Sequence, residues 1–137
     1  MIPPAGTGPA PRPPWLAHVL RWGPVVLWAA MIFVLSSQSS LPDPPAGFTD
    51  KHAHSVTYGV LGALLVWGLT DRSPARMTWA TAAVAVALAA LYGASDEWHQ
   101  SFVPGREASV LDLAADVSGA AMAAIAVRAW AIIRARR

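Results

Sequence analysis

A chain of 137 residues that is 55% hydrophobic and 13% charged, with mean hydropathy +0.41, is too apolar for a soluble domain, in which about a quarter of residues carry charge. The charge deficit falls in long blocks, as in an integral membrane protein of one compact domain, and the absence of cysteine excludes disulfides, thiol nucleophiles and cysteine-ligated metals. The net charge of +2 comes with no basic stripe interleaved with aromatics, so nucleic acid is excluded as a partner.

Residues 1–14 carry Pro3, Pro4, Pro9, Pro11, Pro13 and Pro14 among small residues. Such a segment cannot pack a core, so residues 1–21 are expected to form a disordered or polyproline-like tail. The apolar run behind it is too long for a signal-peptide core and lacks a small-x-small exit, so the tail is read as uncleaved. From Trp22 to Pro42 no residue is charged, which predicts helix 1 over 22–38, with Pro24 tolerated near its first turn. About twenty residues, each rising roughly 1.5 Å, cover the hydrocarbon thickness of a bilayer. Pro42, Pro44, Pro45 and Gly47 make the following loop.

Helix 2 is expected from Asp50 to about Leu69, and Asp71-Arg72-Ser73-Pro74 turns the chain. Helix 3 is expected from about Met77 to Gln100, uncharged up to Asp96. A Pro104-Gly105 turn then leads into helix 4, from about Ser109 to Ile133, ahead of a basic tail at 134–137. The predicted fold is all-α, a four-transmembrane-helix antiparallel bundle over residues 22–133 in the cell membrane. Seven tryptophans suit anchoring at its interfaces with the lipid bilayer.

Lys and Arg counts in the short loops set the orientation. Eight arginines flank helix 1, the loop between helices 2 and 3, and the C-terminal end; with Asp71 they give +7. The other two loops and their flanking turns hold Lys51 and Arg106 against seven acids, giving −5. Both termini are therefore expected in the cytoplasm, with the acidic groups at the outer end. An up-down bundle gathers the end of helix 1, the start of helix 2, the end of helix 3 and the start of helix 4 at that end. The stretch from Tyr92 to Gly119, which carries five of the eight acids, is the expected seat of function.

Three constellations meet there. Asp50, His54 and Tyr58 follow at i, i+4 and i+8, along one helix face. Asp50 also suits a helix N-terminus, and His52 suits an interface. Lys51 is the single lysine beside nine arginines, a compact ammonium where a guanidinium fork is the rule. Asp96, Glu97, His99 and Gln100 form the second group; adjacent acids at a helix C-terminus oppose its dipole and are not caps. Their structural reading is a bundle-closing salt bridge to Arg106 or Lys51. Asp112 and Asp116 are the third, and Asp116, a turn deeper, should face the interior and find a partner. Gly119 and the alanines after it offer a small surface for close helix packing.

These groups admit three chemistries. Carboxylates and imidazole suit a divalent metal, with Asp50, Asp112 and Asp116 as the candidate ligands, although no specific ligand motif is present. Lys51 and Arg106 suit an anion clamp, with Tyr58, Gln100 and Ser37 beside them in substrate binding. In that same chemistry His54 and Asp96, with Glu97, suit acid–base work on the clamped molecule. The third chemistry is none: a buried ion network that fixes the conformation.

The motifs Asp50-Lys51-x-x-His54-x-x-x-Tyr58, Asp96-Glu97-x-x-Gln100 with Arg106, and Asp112-x-x-x-Asp116-x-x-Gly119 together resemble the VanZ-like family of small membrane proteins. Ser36-Ser37-Gln38 is similar to the family's Ser/Gln signature, and the resemblance spans about residues 22–125. Asp116 stands where the family pattern often has Asn. The resemblance implies an envelope role, the family being named for a member linked to teicoplanin resistance, and implies no particular reaction. The expected function is engagement of an envelope lipid or cell-wall precursor, lipid-linked or phosphate-bearing, in an outward-facing pocket. The alternatives are a non-catalytic binder or a transporter component, transport through four short helices requiring an oligomer, and a structural bundle.

Overall fold

The computed structural model describes residues 13–40, 45 and 47–136. The expected tail at 1–12, including Arg12, and Pro42, Asp43, Pro44 and Arg137 lie outside the described residues. Four helices make the fold: α1 (Pro14–Ser36), α2 (Asp50–Leu69), α3 (Trp79–Gln100) and α4 (Val110–Ala135), with a 3-10 turn at Pro74–Arg76. Among the described residues there is no strand.

α1 starts at Pro14, well ahead of the expected Trp22, so residues 14–21 are helical. The reason is local. A proline at the first helical positions has its fixed φ already set for the helix and lacks only an N–H that would be unpaired anyway. Pro24 consequently sits inside α1 and not in its first turn. α2 starts behind a capping box in which Thr49 accepts from the His52 amide and the Thr49 amide donates 3.0 Å to His52 Nδ1. His52 is thereby a cap, and Asp50 is a first-turn acid on the favourable end of the helix dipole.

α1, α3 and α4 are each long and apolar enough to cross a membrane, which makes this a multi-pass membrane protein. α2 is 20 residues long and packs against all three other helices. The closest approach is between α2 and α4. Gly59 and Gly62 of α2 meet Gly119 and Ala120 of α4, and a Cβ on Gly62 would lie 2.8 Å from Ala120 Cα. A Cβ on Gly119 would overlap the Ser55 carbonyl oxygen. Without water to drive apolar association, such small-residue contact supplies the dispersion that holds helices together in lipid. α3 adds a face of Ala82, Ala85, Ala89 and Gly93, all buried.

α1 is attached differently. Arg21 Nε donates 2.6 Å to Gly68 O, Trp28 Nε1 donates 2.9 Å to Thr57 O, and Tyr92 OH of α3 donates 2.6 Å to Ala29 O. At the same end as Arg21, Asp71 pairs with Arg21 and, at 2.6 Å, with Arg76. The opposite end of the bundle gathers the end of α1, the start of α2, the end of α3 and the start of α4.

Candidate functional site

The apolar face of α3 does not stop at Gly93; the same face continues as Asp96, Glu97 and Gln100, all buried. The two adjacent acids point roughly 100° apart, and both are buried because neighbouring helices flank this end of α3 on either side. Asp96 turns toward α2. Its Oδ2 accepts from Gln100 Nε2 at 3.2 Å and from Tyr58 OH at 3.4 Å, and its Oδ1 is buried without a partner. Glu97 turns toward α4, where Oε2 accepts 2.7 Å from the Ser109 amide. Ser109 makes no side-chain cap of its own, so Glu97 caps α4 from another helix. Glu97 Oε1 is also buried and unpartnered.

After α3 the chain turns at Gly105, whose φ of +82° suits glycine and where a Cβ would come within 3.0 Å of Ser39 O. The turn delivers Arg106 into a cavity of about 110 Å³. Ile32, Leu35 and Ser36 of α1 form one wall; Asp50, His54 and Tyr58 of α2 form the next. Asp96, Gln100 and Arg106 close it. Arg106 Nε is buried and makes no hydrogen bond, and among the described residues no carboxylate lies within ion-pair distance of Arg106. The bundle-closing salt bridge to Asp96 or Glu97 is therefore not formed.

Lys51 pairs with Asp112 and lies 3.9 Å from Asp50. It does not line the cavity. Asp116 faces the interior, as its position required, and its Oδ1 accepts 2.9 Å from His54 Nδ1. Its Oδ2 has no partner. Ser37 sits outside the cavity as well. Its hydroxyl donates 2.6 Å to Phe33 O, so at 3.0 Å it can only accept from His99 Nε2. That pair is not a nucleophile and base. The serine that lines the cavity is Ser36, the neighbour of the expected Ser37, one turn after Ile32 on the same face of α1.

The three acids expected to share a metal are divided between two groups with His54 in common: Asp50, His54 and Asp112, and His54, Glu97 and Asp116. The site as a whole opposes five carboxylates to Lys51, Arg106 and His54. It offers two kinds of chemistry: a cavity lined by a guanidinium and a carboxylate that each keep an unpartnered buried atom, and an excess of buried acid.

The sequence model of the family described as VanZ/LLP1 matches residues 21–133, which take in α2, α3, most of α1 and most of α4. No curated protein and no solved structure matches the chain.

Proposed function

Because the chain belongs to the VanZ/LLP1 family, we propose that its cavity binds the head of a lipid-linked or phosphate-bearing molecule of the cell envelope. One observation carries this reading. Arg106 and Asp96, of opposite charge, line the same cavity, and each keeps one buried side-chain atom, Nε and Oδ1, without a partner. Buried polar groups left this way cost about 1–3 kcal/mol each, more when charged. A ligand that presents an anionic oxygen to Arg106 and a hydroxyl or ammonium donor to Asp96 satisfies both. Ile32 and Leu35 give its apolar part a wall.

In this reading α2 is the fourth span, both termini are cytoplasmic, and the cavity opens outward in the cell membrane. Engagement of an envelope molecule there would serve glycopeptide-type resistance. Turnover, where it occurs, would use His54 and Asp96 as acid and base, both of which line the cavity. The test is native mass spectrometry of the full-length protein released from mild detergent. Wild type is expected to carry a phospholipid-sized adduct. Arg106→Ala and Asp96→Asn are each expected to retain it about tenfold less, the loss of one charge-assisted bond. A bare wild-type mass, or an adduct that both variants retain as fully as wild type does, overturns the assignment.

The Lys51–Asp112 and His54–Asp116 pairs favour a second reading, in which the charges clamp α2 to α4 and do no chemistry. Under it Lys51→Arg keeps full function and Lys51→Ala chiefly lowers the unfolding temperature. A Lys51→Arg protein that is as stable as wild type yet inactive in a resistance assay rejects that reading.

A further inference from the structure

We infer that His54, Glu97 and Asp116 form a site for one divalent first-row cation of the Mn²⁺ or Zn²⁺ type. Each residue comes from a different helix, and one ligating atom from each lies within 4.8 Å of the others. Asp116 is 0% exposed and Glu97 is 7% exposed, so bulk water solvates neither carboxylate. Each also keeps one buried oxygen that no donor reaches, Asp116 Oδ2 and Glu97 Oε1. Protein cations do not make up the deficit. Lys51 is committed to Asp112, and Arg106 forms no ion pair with either acid. His54 brings at most a single positive charge against two carboxylates.

Ionisable groups at membrane depth are costly unless paired, and a divalent ion supplies both the missing charge and the missing bonds. The donor set, one imidazole nitrogen with carboxylate oxygens, is that of a borderline transition-series ion more than of Ca²⁺ or Mg²⁺, which take oxygen alone. The ion would tie α2, α3 and α4 together behind the cavity wall that His54 shares. This inference goes beyond the ligand reading above and requires neither Arg106 nor any lipid.

The test uses full-length protein in detergent, stripped with chelator and titrated separately with MnCl₂ and ZnCl₂. Bound metal is counted by mass spectrometry after desalting, and Mn²⁺ is followed by its paramagnetic resonance signal. One equivalent per chain is expected. Glu97→Gln and Asp116→Asn should each weaken binding by roughly tenfold or more, since even outer partners of a metal ligand are worth that much. Asp50→Asn should bind as wild type does. Helical circular dichroism checks the fold of each variant, and Glu97→Gln decides alone if Asp116→Asn does not fold. Three results each overturn the site: folded wild type that takes up neither ion, wild-type affinity in Glu97→Gln, or loss in Asp50→Asn equal to that in Glu97→Gln. The first leaves a shared proton as the balance of the cluster, and the last moves the ion to Asp50, His54 and Asp112.

Discussion

Gly119→Ala is expected to abolish recovery of monodisperse protein from detergent extracts. The added Cβ would overlap the Ser55 carbonyl oxygen and stand 2.7 Å from its carbon and 2.9 Å from Ser55 Cα. All three obstacles are backbone, so no side-chain rotation relieves them and the two helices must separate. Ordinary overpacking costs about 1–3 kcal/mol because side chains shift to absorb it; a clash of main chain with main chain lies at or above that range. Separation would also strain the Lys51–Asp112 and His54–Asp116 pairs, which span the same seam. Gly62→Ala, 2.8 Å from Ala120 Cα, should behave similarly. Gly23→Ala is the contrast, since its Cβ would meet only Val19 Cγ1 at 3.9 Å and alanine favours the helix by up to about 1 kcal/mol. Size-exclusion profiles and unfolding temperatures of the three variants check this. Gly119→Ala that melts with wild type would refute the seam.

The second large effect is expected at His54. Its removal in His54→Ala strands Asp116, which is 0% exposed and has no other hydrogen-bond partner among the described residues. Breaking a buried pair from one side costs about 3–5 kcal/mol, because the charge left behind is uncompensated. The double variant His54→Ala/Asp116→Asn should therefore be more stable than His54→Ala alone, since a neutral amide tolerates the site better than a stranded carboxylate. A denaturation series on wild type, both single variants and the double variant gives the coupling energy. A His54→Ala protein less than about 1 kcal/mol below wild type would show that Asp116 does not depend on His54.

The helices of this protein are largely legible in its sequence, and the pairings are not. α2 begins and ends where Asp50 and Leu69 were expected, because a Pro/Gly loop precedes it and Thr70-Asp71-Arg72 stops it. The start of α1 was obscured by Pro13 and Pro14, which read as breakers by composition but suit a first turn by geometry. The convergence of Asp50, His54, Tyr58, Asp96, Gln100 and Arg106 on one cavity follows from helix spacing and up-down connectivity. That His54 faces Asp116, that Lys51 is spent on Asp112, and that Ser36 lines the cavity in place of Ser37 depends on how far each helix is rotated about its axis. Glycine contacts across the bundle set that rotation, and a one-dimensional pattern records the glycines without recording which of them touch.

The joint that holds α1 has a consequence for how the chain can drift in evolution. Arg21, Trp28 and Tyr92 all donate to main-chain oxygens, those of Gly68, Thr57 and Ala29. A carbonyl oxygen is present whatever side chain its residue bears, so Thr57 and Ala29 can change without any answering change in Trp28 or Tyr92. These three contacts are inherited through their donors alone. The His54–Asp116 contact is the opposite case, since both of its atoms belong to side chains, and a change in either residue alters what the other meets. Covariation between positions would therefore report the α2–α4 seam and, of α1, only its side-chain pairs Arg21–Asp71 and Ser37–His99, missing these three main-chain contacts.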